Sequence, residues 1–418
     1  MQVEIINTGS ELMLGFVVNT HQQWLCRQLS DLGFNIERQV AVHDEGLAIQ
    51  QAVREAIQRA ELVITTGGLG PTSDDITRDL IAQLFDKPLR EDPKIVADIE
   101  QFFAQRSRQM PASTRVQAMV PEGGVVLWNN HGTAPGLALP TPRGWLVMLP
   151  GPPRELRPMF RDQLLPKLAQ WFSTPVPFVC KSLKTTGLGE SFLEERIAPT
   201  LSGLVTRGLG VGYCARVGEV DVRFTARGDD SAQLVAEAVG VARELLGSHI
   251  FSETESDLAS VVVGLLTRQN HTLAIAESCT GGYLANRITN VPCASAVFQA
   301  GLVTYSNAAK TEFLGVQPST LEQHGAVSEA TASEMALGAQ RRTGSTYALA
   351  LTGIAGPSGG TSEKPVGTVF IGFATPEGVV VHRFLNEYDR ETFKFYTSQQ
   401  ALDILRRSIL KAAGISLS

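Results

Sequence analysis

Short apolar segments alternate with helical patterns along the first part of the chain. Residues 3–6 and 62–65 have the composition of buried strands, whereas residues 47–57 and 75–84 carry the apolar spacing of helices. Strands that alternate with helices in this way predict an α/β fold with a parallel, doubly wound sheet. Ligands of such sheets bind beyond the carboxyl ends of the strands, so the loops after the strands are the candidate sites.

The loop after the strand at residues 62–65 is rich in glycine and ends in two aspartates. Its glycines are Gly67, Gly68 and Gly70. Glycine permits positive φ and allows the backbone to approach a phosphate closely. Asp74 and Asp75 then precede a predicted helix, where two interpretations are open. Either Thr72 or Ser73 caps the helix and the aspartates complement its dipole, or the aspartates hold a divalent ion together with a substrate diphosphate.

Four motifs within residues 1–170 carry a family resemblance. They are NTGSEL, TTGGLGPTSDDIT, HGTAPG and LPGPPREL. In this order they resemble the molybdopterin-binding-type domain of the CinA (competence/damage-inducible) family. The resemblance implies the sheet architecture of molybdenum-cofactor biosynthesis proteins and a metal-dependent ADP-ribose pyrophosphatase. It assigns metal or diphosphate binding to Asp74, Asp75 and Glu11, phosphate binding to the three glycines, and Mg²⁺ or another divalent ion as cofactor.

Residues 171–255 predict a small connector, which Pro175 and Pro177 separate from the first domain. The order of elements is β-α-β-β-α, which is similar to the KH-like α+β domain that joins the two halves of CinA proteins. KH domains clamp nucleic acid with a basic G-x-x-G loop. The glycines at 208, 210 and 212 have a different spacing and no flanking lysine cluster. Nucleic acid is therefore not expected as a partner, and a spacer or dimerisation role is preferred.

The last part of the chain, residues 256–418, predicts a second α/β domain whose central feature is a serine. A strand at residues 272–276 is followed by a tight turn that contains Ser278, and a helical pattern begins at Tyr283. Backbone amides at the start of a helix are free to bind an anion or a developing oxyanion. The amides of Gly281 and Gly282 are therefore candidate oxyanion donors.

A serine nucleophile needs a base to remove its proton, and Lys310 is the candidate. No histidine lies in the motif loops of this domain, so a Ser-His-Asp triad is not supported. A lysine that loses contact with water also loses pKa and is then able to accept a proton. Lys310 follows Ser278 by one β–α unit, which predicts that both lie at one edge of the sheet. The alternative is an exposed lysine in the first turn of a helix.

Cys279 competes with Ser278 as nucleophile. A thiol at a helix start has a lowered pKa and is intrinsically the better nucleophile. Cysteine is also among the most frequently buried residue types, and this one is equally consistent with a core position. The residues alone leave both side chains as candidates, with Ser278 preferred.

Five further motifs resemble the CinA C-terminal domain, which also occurs alone as a nicotinamide-nucleotide amidase. They are AESCTGG, GLVTYSNAAK, GAVSEAT, ALTGIAGPSGG and KPVGTVFIG. The resemblance implies that a Ser–Lys pair hydrolyses nicotinamide mononucleotide to nicotinate mononucleotide and ammonia without a cofactor. It assigns the nucleophile to Ser278 and the base to Lys310. It further implies that Tyr305 and Thr352 assist through their hydroxyls, and that Arg390, with Arg383 as the nearby alternative, binds the phosphate.

Composition limits the cellular compartment and the classes of partner that we expect. The net charge of −6 gives no field that favours nucleic acid or an anionic membrane. The five cysteines are scattered and odd in number, which favours a reducing, cytoplasmic compartment. We therefore expect a cytoplasmic homodimer that acts on pyridine nucleotides and ADP-ribose. The alternative is a regulatory protein linked to competence, in which an inactive N-terminal domain only binds a nucleotide or pterin.

Overall fold

The structure, a computed structural model, describes residues 1–172 and 176–414 of the 418-residue chain. Pro175 of the predicted linker and residues 415–418 of the last predicted domain lie outside these residues. Two compact units are present: Met1–Val179 with Arg227–Asp229, and Cys180–Ala226 with the described chain from Asp230 onward. None of the described helices is both long and apolar enough to cross a membrane.

The first unit contains a six-stranded sheet with helices on both faces. The strands of this unit, including two outside the sheet, are β1 (Gln2–Thr8), β2 (Asn35–Val42), β3 (Leu62–Thr66), β4 (Leu89–Glu91), β5 (Met119–Pro121), β6 (Val125–Leu127), β7 (Gly136–Pro140) and β8 (Trp145–Leu149). Its helices are α1 (Ser10–Met13), α2 (Thr20–Asp31), α3 (Gly46–Arg59), α4 (Thr77–Leu84), α5 (Pro93–Ala104), α6 (Pro153–Met159) and α7 (Leu165–Trp171). The order β2-β1-β3-β8-β7-β6 leaves β4 and β5 as a separate small pair.

The predicted doubly wound α/β architecture is confirmed for the centre of this sheet. Strands β2, β1, β3 and β8 are parallel, whereas β7 and β6 extend the sheet in the antiparallel direction. Apolar side chains from α2, α6 and α7 pack on one face, and those of α3 and α4 pack on the other. The carboxyl ends of β1, β3 and β8 therefore converge at one edge.

The helix that was predicted from residue 75 begins later, at Thr77. Its N-cap residue is Ile76, which has no capping side chain. The Asp75 carboxylate instead accepts hydrogen bonds from the backbone amide and the hydroxyl of Thr72, which forms a separate turn before the helix. The interpretation in which Thr72 or Ser73 caps the helix is therefore wrong.

The second unit begins with the connector. Its elements are β9 (Phe178–Thr186), α8 (Glu190–Thr206), β10 (Gly210–Arg216), β11 (Glu219–Arg227), α9 (Ser231–Leu246) and β12 (Ile250–Ser252). The predicted β-α-β-β-α order is confirmed, and β12 joins the sheet beside β9 in the order β10-β11-β9-β12.

The rest of this unit is a five-stranded sheet covered by helices on both faces. Its strands are β13 (Leu273–Glu277), β14 (Phe298–Val303), β15 (Tyr347–Gly353), β16 (Thr368–Thr375) and β17 (Gly378–Leu385). Its helices are α10 (Leu258–Gln269), α11 (Tyr283–Thr289), α12 (Asn307–Leu314), α13 (Pro318–His324), α14 (Glu329–Thr343) and α15 (Arg390–Ala412). The order is β14-β13-β15-β16-β17, in which β14, β13 and β15 are parallel and β16 and β17 are antiparallel.

Helix α15 joins the connector through a buried arginine. The Arg406 guanidinium pairs with Asp403 on its own helix and donates to the backbone carbonyl of Ser248, which lies just before β12. The side chain is almost completely buried, so these contacts replace its hydration.

Candidate functional site

Ser278 lies at the carboxyl end of β13, between two parallel strands. Its backbone amide donates to the carbonyl of Leu351 in β15 at 2.9 Å, and the carbonyl of Glu277 accepts from the amide of Thr304 at 2.8 Å. These bonds continue the sheet on both sides of the serine. The chain then turns through Gly281 and Gly282, whose φ values of 62° and 94° favour glycine.

The Glu277 side chain holds the turn that follows Ser278. Its carboxylate accepts from three backbone amides at the start of α11: those of Gly282 at 3.1 Å, Leu284 at 3.1 Å and Ala285 at 2.8 Å. The amide of Gly281 donates to the carbonyl of Ser278. The amides of Gly281 and Gly282 therefore already have acceptors, and the prediction that they serve as oxyanion donors is not supported by this geometry.

Lys310 reaches Ser278 from the first turn of α12. Its Nζ atom lies 3.1 Å from the Ser278 Oγ, 2.9 Å from the carbonyl oxygen of Thr304 and 3.2 Å from that of Tyr305. Only 1% of the residue is exposed. The alternative of an exposed first-turn lysine is therefore wrong, and the predicted nucleophile and base are within hydrogen-bond distance.

Burial disfavours the charged form of Lys310. Burial lowers the pKa of its amino group because the charged form loses hydration. A neutral amine has two N–H groups and one lone pair, and the two backbone carbonyls accept from the N–H groups. Of the three neighbours only the Ser278 hydroxyl is able to donate a hydrogen bond. The lone pair of a neutral Lys310 therefore faces the proton that a base has to remove.

Cys279 points into the core of the domain. It belongs to the buried apolar cluster that includes side chains of β13 and β15, and the residue is 6% exposed. Burial raises the pKa of the thiol to about 12, so the thiolate is not populated near neutral pH. The structure thus separates the two candidates: the serine faces the lysine, and the cysteine packs in the interior.

Tyr305 and Arg390 meet near this pair. The Tyr305 hydroxyl accepts from one guanidinium nitrogen of Arg390 at 3.1 Å, and another donates to the carbonyl of Gly356 at 3.0 Å. The backbone carbonyl of Tyr305 accepts from Lys310, so Tyr305 links Arg390 to the predicted base. Arg383 has different partners: it donates to the carbonyl of Glu363 and lies over the ring of Phe370.

Thr352 is close in the sheet but its hydroxyl has another partner. The residue follows Leu351, the acceptor of the Ser278 amide, and is buried. Its Oγ1 donates to the carbonyl of Ala326 at 2.7 Å. The predicted hydroxyl bond from Thr352 to the reacting groups is therefore not formed.

A second candidate site is a cavity of about 510 Å³ in the first unit, at the carboxyl ends of β1, β3 and β8. All the residues predicted to bind metal or phosphate line it: Glu11, Gly67, Gly68, Gly70, Asp74 and Asp75. Two glycines are also required by packing. A Cβ on Gly68 would lie 2.0 Å from the Thr77 hydroxyl, and one on Gly70 would lie 2.3 Å from the Asp75 carboxylate.

The ionisable side chains described in the lining of this cavity are acidic, apart from His21. Among the described lining residues five are carboxylic acids and none is lysine or arginine; the five are Glu11, Asp44, Asp74, Asp75 and Glu155. Oxygen ligands of this kind suit Mg²⁺, which usually keeps several waters and takes only one or two carboxylates. Within residues 1–172 and 176–414 no three His, Cys, Asp or Glu side chains lie close enough to form a complete ligand set. The metal site stays a prediction, with the substrate and water as its remaining ligands.

The sequence reasoning missed Glu155, in the first turn of α6. Its carboxyl group accepts from the Asn129 side chain at 2.8 Å and is 8% exposed. Burial raises its pKa. A Cβ on Gly132 would lie 2.0 Å from one of its oxygens, so the glycine makes room for the acid. The only available signal was its place in the LPGPPREL motif, beside the turn that the prolines form.

Family models cover nearly all of the chain. A probable molybdopterin binding domain matches residues 4–170, the damage-inducible protein CinA KH domain matches residues 180–252, and the CinA C-terminal domain matches residues 255–409.

Individual relatives match the chain over nearly its full length. A CinA-like protein of Akkermansia muciniphila is 43% identical over 405 residues, which are 96% of either chain. One of Gemmatimonas aurantiaca is 40% identical over 420 residues, which are 99% of this chain and 98% of the relative. Among solved structures, the competence/damage inducible protein of Agrobacterium tumefaciens is 40% identical, covers 36% of this chain and 93% of its own, and has a TM-score of 0.35. The chain belongs to the CinA family, with a molybdopterin-binding-like domain, a KH-like connector and a CinA C-terminal domain.

Proposed function

We propose that the C-terminal domain is an amidase that hydrolyses nicotinamide mononucleotide to nicotinate mononucleotide and ammonia. The observation that carries this proposal is the 3.1 Å contact between the Lys310 Nζ and the Ser278 Oγ, which a buried lysine makes beside two carbonyl acceptors. A base that is neutral and in contact with a hydroxyl is what an activated serine requires.

The reaction proceeds in two halves. Neutral Lys310 removes the proton of Ser278 as the oxygen attacks the carboxamide carbon, and the resulting ammonium returns the proton to the departing nitrogen. Ammonia leaves and an ester to Ser278 remains. Lys310, neutral again, then takes a proton from the water that attacks the ester, which releases the carboxylate product and restores the serine. No step requires a metal ion.

Arg390 is the group that we assign to the phosphate of the substrate. Its contacts with Tyr305 and Gly356 use two of the five N–H groups of a guanidinium. The residue is exposed, so the remaining N–H groups are accessible to a phosphate. Tyr305 positions this arginine and, through its carbonyl, also the base.

Two single substitutions test the amidase. Ser278→Ala should lower ammonia release from nicotinamide mononucleotide by about 1,000-fold or more, because it removes the hydroxyl that contacts Lys310. Cys279→Ala should retain activity. If Ser278→Ala keeps its rate, the Ser–Lys scheme is wrong, and loss of activity in Cys279→Ala alone would transfer the nucleophile to the thiol.

For the first unit we propose a metal-dependent ADP-ribose pyrophosphatase. The absence of lysine and arginine from the described lining of the acidic cavity supports a metal requirement, because a diphosphate needs positive charge there. A divalent ion would supply that charge. Asp74 and Asp75 are the residues that would hold it, with Glu11 near. The glycine loop would contact the diphosphate through its backbone.

Incubation with ADP-ribose and Mg²⁺ separates this proposal from the regulatory alternative. Formation of AMP supports the pyrophosphatase, whereas saturable binding without turnover supports a protein that only binds a nucleotide or pterin. Both proposed substrates contain fragments of nicotinamide coenzymes, so the two activities would share a role in recycling them.

A further inference from the structure

Glu277 has an unusual set of partners for a buried acid. The residue is 1% exposed, and among the described residues no lysine or arginine forms an ion pair with it. Its partners are instead the three backbone amides at the start of α11. Helix starts leave such amides without acceptors inside the helix, and a cap normally comes from the residue just before the helix. Here the cap comes from the last residue of β13.

This side chain closes the turn that carries the nucleophile. The carboxylate ties the end of β13 to the first turn of α11, so residues 278–282 form a short loop that is fixed at both ends. The Glu277–Ser278 peptide is itself bonded on both sides, its carbonyl to the amide of Thr304 and its amide to the carbonyl of Leu351. The backbone that carries the Ser278 hydroxyl is thus restrained by the strands and by the acid.

We propose that Glu277 is a positioning residue that holds Ser278 in line with Lys310, a role that rests on the proposed amidase function. Hydrogen bonds from amides to a carboxylate are roughly twice as strong as bonds between neutral groups, so three of them offset the loss of hydration. Shifts of about 1 Å between reacting groups cost on the order of 100-fold in rate. The acid therefore acts on the rate through the position of the serine and does not contact substrate.

The same contacts have a consequence for ligand binding. A helix start is a ready site for a phosphate or an oxyanion, but here the chain fills that position with its own carboxylate. The start of α11 is consequently closed to the substrate phosphate. This leaves recognition of the phosphate to side chains such as Arg390.

The test compares Glu277→Gln and Glu277→Asp with a matched control. Gln keeps the shape but presents an NH₂ group to the amide donors, and Asp is too short to reach all three. We expect kcat for nicotinamide mononucleotide to fall 10- to 100-fold with KM changed less than threefold. The control is Asp257→Asn, which alters an acidic cap on α10 in the same unit, bonded to the Ser260 amide at 2.8 Å, and should keep the full rate.

Three outcomes would overturn the assignment: an unchanged kcat, a raised KM at unchanged kcat, or loss of a limb from the pH profile, which would indicate proton transfer.

The rate at which phenylmethylsulfonyl fluoride modifies Ser278, followed by mass spectrometry, gives a readout that needs no substrate. It should be slower in both variants. If the wild-type protein shows no amidase activity while this difference is present, the substrate assignment fails and the positioning role stands. If the label also reacts equally in all forms, the positioning role fails. A variant that does not fold is replaced by the other, whose labelling then decides.

Discussion

The Lys310 Nζ and the Ser278 Oγ lie 3.1 Å apart, although Lys310 comes 32 positions after Ser278 in the chain. The adjacent parallel strands β13 and β14 end at the same edge of the sheet, and each is followed by one of the two residues. The proximity of these two side chains is therefore a product of strand order.

The rate of the amidase should depend on the protonation of Lys310. Burial lowers its pKa below the ordinary 10.5, and only the neutral form accepts the serine proton. We expect kcat/KM to rise with pH and to reach a plateau with an apparent pKa below 10.5. Initial rates of ammonia release across pH 6 to 11 measure this, with the far-ultraviolet circular dichroism recorded at each pH as control. A profile that still rises beyond the ordinary lysine pKa would contradict the assignment.

Replacement of the base should separate activity from stability. Lys310→Met should lower kcat by about 1,000-fold or more because no base remains beside Ser278. Its melting temperature at pH 7 should equal or exceed that of the wild type. Between the lowered and the ordinary pKa the folded protein binds fewer protons at Lys310 than the unfolded chain, so the native lysine costs stability at lower pH, including pH 7. Lys411→Met, at an exposed position on α15, is the control and should change neither quantity. A less stable Lys310→Met would show that the amine contributes more through its hydrogen bonds than its burial costs.

Cysteine chemistry should reflect the two environments of the thiols. Cys214 and Cys293 are exposed, whereas Cys279 is buried with a thiol pKa of about 12. Iodoacetamide at pH 8 should modify the exposed cysteines within minutes and Cys279 only after denaturation, as peptide mass spectrometry will show. Modification of Cys279 at the rate of Cys293 would mean that the thiol faces the site after all.

Chelation should affect the two units differently. Binding of ADP-ribose to the acidic cavity should weaken at least tenfold when EDTA replaces Mg²⁺, because no described lysine or arginine in the lining balances the diphosphate charge. Isothermal titration calorimetry with a non-hydrolysable analogue of ADP-ribose measures the binding without turnover. Ammonia release from nicotinamide mononucleotide serves as the internal control and should not change. Binding that is indifferent to EDTA would show that the cavity does not use a divalent ion.

Glu155→Gln should make the first unit less dependent on pH. Burial raises the pKa of Glu155, so between the ordinary and the raised value the folded state binds more protons than the unfolded state. Its contribution to stability therefore decreases as the pH rises through that window. Thermal unfolding should show a gain for Glu155→Gln over wild type at pH 8 and a smaller gain at pH 4. Glu122→Gln, an exposed change in the same unit, is the control. A loss of stability at pH 8 would contradict the prediction.

The sequence alone was sufficient for the strand–turn–helix pattern around Ser278 and for the place of Lys310, because strand order in parallel sheets brings such loops to one edge. The hydrogen-bond partners of the side chains could not be predicted from the sequence. Periodicity does not show that the Glu277 carboxylate reaches past four residues to the amides of α11, or that the Thr352 hydroxyl turns to a backbone carbonyl. The burial of Glu155 and of Cys279 likewise depends on which elements pack over them, which only the folded chain defines.

Arg406 sets a boundary for anyone who wishes to divide the protein. Its guanidinium binds acceptors from two domains: Asp403 lies in the last domain, whereas Ser248, whose carbonyl also accepts, precedes the predicted start of that domain. A fragment cut after Ser252 would keep the pair with Asp403 but leave part of a buried cation without its acceptors. The CinA C-terminal domain is therefore best produced with its connector attached, and a shorter fragment needs a replacement at Arg406.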